Sequence, residues 1–191
     1  MQTIALMGPH GTGKTTVYEA LRKQRPDFSY FSTPEKYLLS GLKYKDSFDM
    51  IKKIGIGQFA LMNISTWAAI DPIFNTTLEQ KQTIIADGSM VETSAQYLVQ
   101  RETSKDYELC DVLKRIAKYH AALITKFIYF PIGVLPIKTN ETLPERSLLQ
   151  KIDENIPRAF GWLGVPDSIV HRLKSVSIED RVREVLHIIE G

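Results

Sequence analysis

The chain has 191 residues, of which 43% are hydrophobic and 24% are charged, and its formal net charge is only +2. This length predicts a single domain over residues 1–191, and the near balance of charge excludes a chain that is basic throughout, although it leaves room for a local basic groove. The single cysteine, Cys110, excludes an intrachain disulfide and favours a reducing compartment.

The first element predicted along the chain is a short buried strand at Thr3–Met7, an apolar run of the kind found in parallel sheets. The eight residues that follow it match the phosphate-binding pattern G-x-x-x-x-G-K-[ST] without a substitution. They are Gly8, Pro9, His10, Gly11, Thr12, Gly13, Lys14 and Thr15. A helix is expected after them, from Thr16 to Gln24, so the motif has the strand–loop–helix context that its function requires.

Each residue type in this loop has a physical reason. Gly8, Gly11 and Gly13 allow backbone angles that let successive N–H groups face one concavity, and the N-terminal end of the next helix adds positive potential. Lys14 is expected to reach the outer phosphates, and the Thr15 hydroxyl suits Mg²⁺. The residues expected to bind a nucleotide, taken as ATP, are thus Gly8, Pro9, His10, Gly11, Thr12, Gly13, Lys14, Thr15 and Thr16.

Four more strands are predicted, the last of them weakly, at Phe28–Phe31, Thr83–Ala86, Phe127–Phe130 and Ser168–His171. Helical patterns lie between them, and the last helix is expected to follow an N-cap at Ser177. Strands that alternate with helices predict a three-layer α/β/α fold with a mainly parallel, five-stranded sheet. Ligands of such sheets bind at the carboxyl ends of the strands.

Two acidic residues follow predicted strands at that edge. Asp87 ends an apolar strand, which is the second signature of phosphate-loop enzymes and predicts a carboxylate that helps to hold Mg²⁺; the alternative is a simple turn residue before Gly88. Glu35 follows the second strand and is a candidate to orient or deprotonate an acceptor hydroxyl. It is equally suited to the first turn of a helix after Thr33-Pro34.

The segment from Pro131 to Arg158 is irregular and rich in charge, and it predicts a short lid over the nucleotide. Its cations are candidates to stabilise charge on a transferring phosphoryl group, with Arg146 the first choice. The others are Lys138, Lys151 and Arg158.

Taken together, these motifs resemble the P-loop nucleoside and nucleotide kinases, a group that includes nicotinamide riboside kinase domains, thymidylate-kinase-like enzymes and phage kinases that act on 5-hydroxymethyluracil in DNA. The resemblance rests on Gly8–Thr15, Thr33-Pro34-Glu35, Asp87-Gly88-Ser89 and Tyr129-Phe130-Pro131. It implies an ATP- and Mg²⁺-dependent kinase whose acceptor is a nucleoside, a nucleotide or a related molecule. Lys14, Glu35, Asp87 and Arg146 would be its catalytic residues.

One position departs from the pattern, because thymidylate-kinase-like enzymes commonly place Arg where this chain has Gly88. Without that Arg, a nucleoside, a nicotinamide riboside or a hydroxymethylated base in DNA is comparably suitable as the acceptor. A regulatory ATP-binding switch or ATPase with no acceptor is the alternative from another class. No targeting or membrane-spanning pattern is found, so the expected location is the cytoplasm.

Overall fold

The computed structural model describes residues 2–32, 83–101, 107–133 and 146–191, together with parts of 41–66. Strands and helices alternate along these ranges. In chain order they are β1 (Thr3–Met7), α1 (Lys14–Gln24), β2 (Ser29–Ser32), β3 (Ile84–Asp87), α2 (Met90–Arg101), α3 (Tyr107–Ala122), β4 (Lys126–Tyr129), α4 (Arg146–Leu163), a 3₁₀ turn (Asp167–Ile169), β5 (Val170–Arg172) and α5 (Ile178–Glu190).

The five strands form one sheet in the order β2-β3-β1-β4-β5, and every neighbouring pair is parallel. β1 has its predicted bounds, and the other strands begin and end within one or two residues of theirs. The prediction of a mainly parallel, five-stranded α/β sheet is therefore confirmed. Because all carboxyl ends lie at one edge, the end of β1 is adjacent to the ends of β3 and β4.

Alternating side chains of the strands supply two separate cores, one on each face of the sheet. Ala5 and Met7 of β1 pack in a core with residues of α2, α3 and α4. Ile4 and Leu6 pack on the other face with residues of α1 and α5. This period-two partition is what a strand buried on both faces requires, and it produces the predicted three layers.

Helix α4 contains a proline in its interior, Pro157. Proline has no N–H, so it cannot donate to the carbonyl of Asp153 four residues earlier. The Tyr129 hydroxyl lies 3.4 Å from that carbonyl and donates to Asp153 Oδ1 at 2.6 Å. Burial, followed by this contact with Asp153, raises the pKa of Tyr129. The Tyr129 hydroxyl at the end of β4 thus lies beside the carbonyl that loses its helical donor to the proline.

The last helix begins as predicted. Ser177 is the N-cap of α5, and its hydroxyl accepts a hydrogen bond from the Asp180 backbone N–H at 3.1 Å. The apolar residues of α5, which include Val182, Val185 and Ile189, are buried against the sheet. No helix within the described ranges combines the length and apolarity needed to cross a bilayer.

Candidate functional site: a glycine-rich loop at the carboxyl edge of the sheet

The glycine-rich loop joins the end of β1 to the start of α1 with three glycines at positive φ, as predicted. Gly8, Gly11 and Gly13 have φ values of 146°, 79° and 85°. At Gly8 an added Cβ would lie 2.3 Å from the carbonyl oxygen of Phe130, so the close approach of two backbones excludes every side chain there. Helix α1 has no acidic residue in its first turn, so no side chain of that turn offsets the positive end of its dipole.

The base of the loop consists of Thr12 and its partner Arg181, and it is held by buried hydrogen bonds. Thr12 is 3% exposed, and its hydroxyl donates to the Pro9 carbonyl at 2.8 Å. The Thr12 carbonyl accepts from Arg181 Nη1 of α5 at 2.6 Å. Arg181 is completely buried and also donates through Nε to the Ser175 carbonyl at 2.8 Å. Burial lowers the pKa of Arg181, and its Nη2 has no hydrogen-bond partner among the described residues.

The side chains of Lys14, Thr15 and Asp87 form the mouth of the loop. The Lys14 side chain folds back toward the protein. Its Nζ donates to the carbonyls of Gly8 and Pro9, the latter at 3.0 Å, and lies 3.2 Å from Oε1 of Glu92. The two charged side chains are only 12% and 15% exposed, so this ion pair is largely removed from solvent. Lys14 thus already lies at the concave side of the loop, next to the groups that would face a phosphate.

Glu92 belongs to the first turn of α2 and joins two loops of the site. Its Oε2 accepts from the Ser89 backbone N–H at 3.0 Å, and its Oε1 accepts from the Gly8 backbone N–H at 3.0 Å. The Ser89 hydroxyl in turn accepts from the Val91 N–H at 3.2 Å. Ser89 and Glu92 have the S-x-x-E spacing of a capping box. Burial raises the pKa of Glu92, while Lys14 acts in the opposite direction.

Thr15 and Asp87 meet at the same mouth. Thr15 Oγ1 donates to Asp87 Oδ2 at 3.2 Å, and Asp87 is only 3% exposed. Both atoms are hard oxygen donors of the type that Mg²⁺ prefers, and two neighbouring ligands of an octahedral Mg²⁺ lie about 3 Å apart. The pair therefore fits a magnesium ion. No group of three or more His, Cys, Asp and Glu side chains within the described residues is arranged to hold a metal ion by itself.

Gly88, the residue that departs from the thymidylate-kinase-like pattern, has φ of 111°. Its N–H donates to the Leu6 carbonyl at 2.8 Å, so the turn after β3 is tied to β1. An arginine in this conformation would be strained, because L side chains rarely adopt positive φ. The glycine therefore matches the local backbone, and this turn presents no side chain at that position.

The remaining predicted site residues differ in where they lie. Pro9 is buried and His10 is half-buried, whereas Gly11, Thr15 and Thr16 are exposed. Arg146 is the first residue of α4 and is exposed, and its catalytic role stays a prediction. The prediction of an irregular segment is wrong for residues 146–158, because they belong to α4, whose residues Ile152 and Ile156 pack in the core. Glu35 and Lys138 lie outside the described residues, as do 134–145 of the predicted lid.

Two residues of the site were not among the candidates predicted from the sequence. Arg181 reaches Thr12 across 169 positions of the chain, and nothing in the local pattern of α5 indicates this contact. Glu92 did have a local signal, the S-x-x-E spacing with Ser89, which predicts a helix start. That spacing does not indicate that the second carboxylate oxygen contacts Gly8 and Lys14.

Comparison with known proteins identifies the fold. No family model matches the chain, and no curated protein matches it. Solved structures do: deoxyadenosine kinase from M. mycoides with bound dATP has a TM-score of 0.66 at 14% identity, with 100% of each chain covered. Thymidylate kinase from Candida albicans has a TM-score of 0.64 at 15% identity, with 99% of this chain and 91% of that chain covered. Shikimate kinase from Aquifex aeolicus has a TM-score of 0.54 at 14% identity, with 100% of this chain and 97% of that chain covered.

These similarities, together with the parallel sheet and the glycine loop, show that the chain has the three-layer fold of P-loop nucleoside and nucleotide kinases. At such low identity the likeness concerns the fold, and the chemistry has to be argued from the site itself.

Proposed function

We propose that this protein is an ATP-dependent kinase that transfers the γ-phosphoryl group of MgATP to a hydroxyl group of a nucleoside, a nucleotide or a related small acceptor. The observation that carries the proposal is the grouping of Lys14 with the Thr15–Asp87 pair at the mouth of the glycine loop. A lysine and two oxygen ligands at the positive end of a helix are what a magnesium-bound phosphate chain requires.

The roles of the residues follow from their chemistry. Backbone N–H groups of the loop and the Lys14 ammonium would bind the phosphate oxygens, and Thr15 and Asp87 would hold Mg²⁺. An ion held by these two residues would supply positive charge that offsets the negative charge of the phosphates. The bond between the γ-phosphorus and the ADP oxygen breaks as the acceptor oxygen bonds to that phosphorus. Glu35 is proposed to take the acceptor proton, and Arg146 to contribute positive charge from the lid.

The turn at Gly88 bears on the acceptor. With no arginine after Asp87, this turn offers no guanidinium to hold a phosphate on the acceptor. An acceptor that has no phosphate of its own at this point, such as a nucleoside, therefore fits the site at least as well as a nucleotide. The names of the deoxyadenosine and thymidylate kinases put nucleosides and nucleotides first among the molecules to test.

The test is to incubate the protein with ATP labelled at the γ-phosphate and a panel of acceptors, which includes nucleosides, nucleotides, nicotinamide riboside, shikimate and DNA with hydroxymethylated pyrimidines. Label transferred to a small acceptor supports the proposal, and label in DNA identifies a kinase of modified bases instead. Release of inorganic phosphate alone, at a rate that no acceptor increases, would indicate an ATPase or a nucleotide-dependent switch. The Asp87→Asn variant serves as the control for label transferred by a contaminating kinase.

A further inference from the structure

The carboxylate of Glu92 has a part in the site that helix capping alone does not explain. A capping box needs one acceptor for the N-cap N–H, and Oε2 fulfils that need by accepting from Ser89 N. The second oxygen, Oε1, is directed away from its own helix toward the glycine loop. There it accepts from Gly8 N at 3.0 Å and lies 3.2 Å from Lys14 Nζ.

The partners of Oε1 are groups that would also bind the oxygens of a phosphate chain. In a phosphate-binding loop the lysine ammonium and the backbone N–H groups are the donors for phosphate oxygens. Here Lys14 Nζ and Gly8 N both contact one carboxylate oxygen of the protein. The carboxylate therefore offers negative charge to the same lysine and the same N–H group that a phosphate chain would contact.

The surroundings make this contact strong. Both side chains of the pair are nearly buried, at 12% and 15% exposure, so water screens their attraction poorly. The Ser89 N–H holds the other oxygen of the Glu92 carboxylate, so this side chain is fixed from two sides. Asp87, which also faces the loop, adds a second negative charge nearby.

We propose that Glu92 is a positioning residue that acts as an internal anion of the glycine loop: its carboxylate pairs with Lys14, which also donates to the Gly8 and Pro9 carbonyls, and so competes with the phosphates of a nucleotide for the lysine. This inference rests on the proposed function, since it assumes that the loop binds a phosphate chain. Glu92 itself does not touch the reacting atoms. Its negative charge competes with the incoming phosphates for the same ammonium, and it thereby weakens nucleotide binding.

The direct test is the Glu92→Gln variant, because glutamine also serves in capping boxes but has no charge to offer Lys14. Inorganic tripolyphosphate and ADP are titrated into the wild type and the variant by isothermal calorimetry, and kcat and KM for ATP are measured with the best acceptor of the panel. The variant is expected to bind tripolyphosphate about tenfold more tightly and to show a lower KM, with no increase in kcat. A role in capping alone predicts equal or weaker binding, and that result would overturn the proposal.

Glu184→Gln is the matched control. The Glu184 carboxylate also accepts backbone N–H groups of a loop, those of Lys174 and Ser175, and its neutralisation changes the net charge by the same amount. Its affinity for tripolyphosphate is expected to stay within twofold of the wild type. A tenfold gain in this variant as well would show that net charge, and not Glu92, controls binding, which would also overturn the proposal.

A measurement on the wild type keeps the proposal falsifiable if Glu92→Gln does not fold. Nuclear magnetic resonance of the lysine ammonium groups detects the coupling across a hydrogen bond from Lys14 Nζ to a carboxyl carbon. The coupling to Glu92 is expected in the ligand-free protein and is expected to disappear when tripolyphosphate saturates the loop. A coupling that is absent from the start, or that survives saturation, contradicts the proposal. If the wild type binds neither tripolyphosphate nor ADP, the proposed function fails instead.

Discussion

The mouth and the base of the glycine loop differ in how their polar groups are satisfied. At the mouth, Lys14 pairs with Glu92 and Thr15 with Asp87, so these contacts join one side chain to another. At the base, Thr12 and Arg181 are buried, and their hydrogen bonds end on backbone carbonyls. We infer that one short loop has two roles. The side-chain contacts at its mouth are replaced by contacts to a ligand, and the buried hydrogen bonds at its base maintain its conformation.

This division predicts opposite outcomes for substitutions only a few residues apart. Changes at the mouth should reduce activity and leave the free energy of unfolding nearly unchanged. Changes at the base should reduce the free energy of unfolding, and activity should fall mainly because less protein is folded. The variants below test the division in order of decreasing expected effect.

At the mouth, Asp87→Asn is expected to lower kcat by about 10²–10³-fold, or about 3–4 kcal/mol, because the amide cannot supply the charge that Mg²⁺ requires. Asparagine has nearly the same shape and still accepts from Thr15, so the unfolding midpoint in urea should change little. The measurement is kcat over a range of Mg²⁺ concentrations. Asp27→Asn, on the surface beside Arg25, is the control and should retain wild-type kcat within twofold. Full activity in Asp87→Asn would remove the metal role.

Where the loop leaves β1, Gly8→Ala is expected to lower the free energy of unfolding by about 3 kcal/mol, because its Cβ would meet the Phe130 carbonyl oxygen and its φ is positive. Urea denaturation followed by circular dichroism measures the change. Gly161→Ala in α4 is a matched control, since an added Cβ there meets nothing within 4 Å. It should be neutral or stabilising by up to about 1 kcal/mol. Equal stability of the two variants would contradict the packing at Gly8.

The sequence was sufficient to predict the strands and the glycine loop, because each depends on local pattern, and the rule that parallel strands end at one edge placed Thr15 and Asp87 at that edge. It was not sufficient to predict which distant residues hold the glycine loop, namely Glu92 and Arg181. Glu92 reaches Gly8 across 84 positions, and Arg181 reaches Thr12 across 169. Such contacts depend on how α2 and α5 dock on opposite faces of the sheet, which hydrophobic periodicity specifies only as a face and not as a particular partner.

The same limit explains the departure at Gly88. The sequence alone presents it as a missing arginine, whereas its φ of 111° shows a turn that favours glycine. Backbone conformation at one residue is set by the register of β3 on β1, where Leu6 lies opposite Asp87. A pattern of residue types does not contain that information.

Arg181→Met tests the base of the loop from the side of α5. Methionine fills much of the volume but leaves the Thr12 and Ser175 carbonyls without their donor, which should cost about 2 kcal/mol of unfolding free energy. Arg183→Ala, two positions along the same helix and 77% exposed, should change it by less than about 0.5 kcal/mol. Thermal unfolding of both variants gives the answer. A kcat that falls as far as in Asp87→Asn while stability stays unchanged would place Arg181 at the mouth instead.

The smallest expected effect is on the pH dependence of the free energy of unfolding. It concerns Glu184, which accepts hydrogen bonds from the loop at Lys174 and Ser175, the loop that Arg181 also contacts. Burial raises the pKa of Glu184, but its hydrogen bonds from Ser175 and Lys174 outweigh burial and hold that pKa below its usual value. A lowered pKa in the folded state means stabilisation that is present above the pKa of the unfolded chain, about 4.3, and that is lost as the pH falls through the folded-state pKa. The free energy of unfolding of Glu184→Gln should therefore be lower than that of the wild type at pH 7, and the two should converge as the pH falls below the folded-state pKa of Glu184. Parallel pH curves would refute the assignment.

The central claim, that the mouth of the glycine loop binds the phosphate chain of a nucleotide, is tested most directly by calorimetric titration of a non-hydrolysable MgATP analogue into the wild type and the Lys14→Met variant. The wild type should bind it, and the variant should bind it at least about 100-fold more weakly while circular dichroism shows the same folded spectrum. Equal affinity of the two folded proteins would contradict the claim.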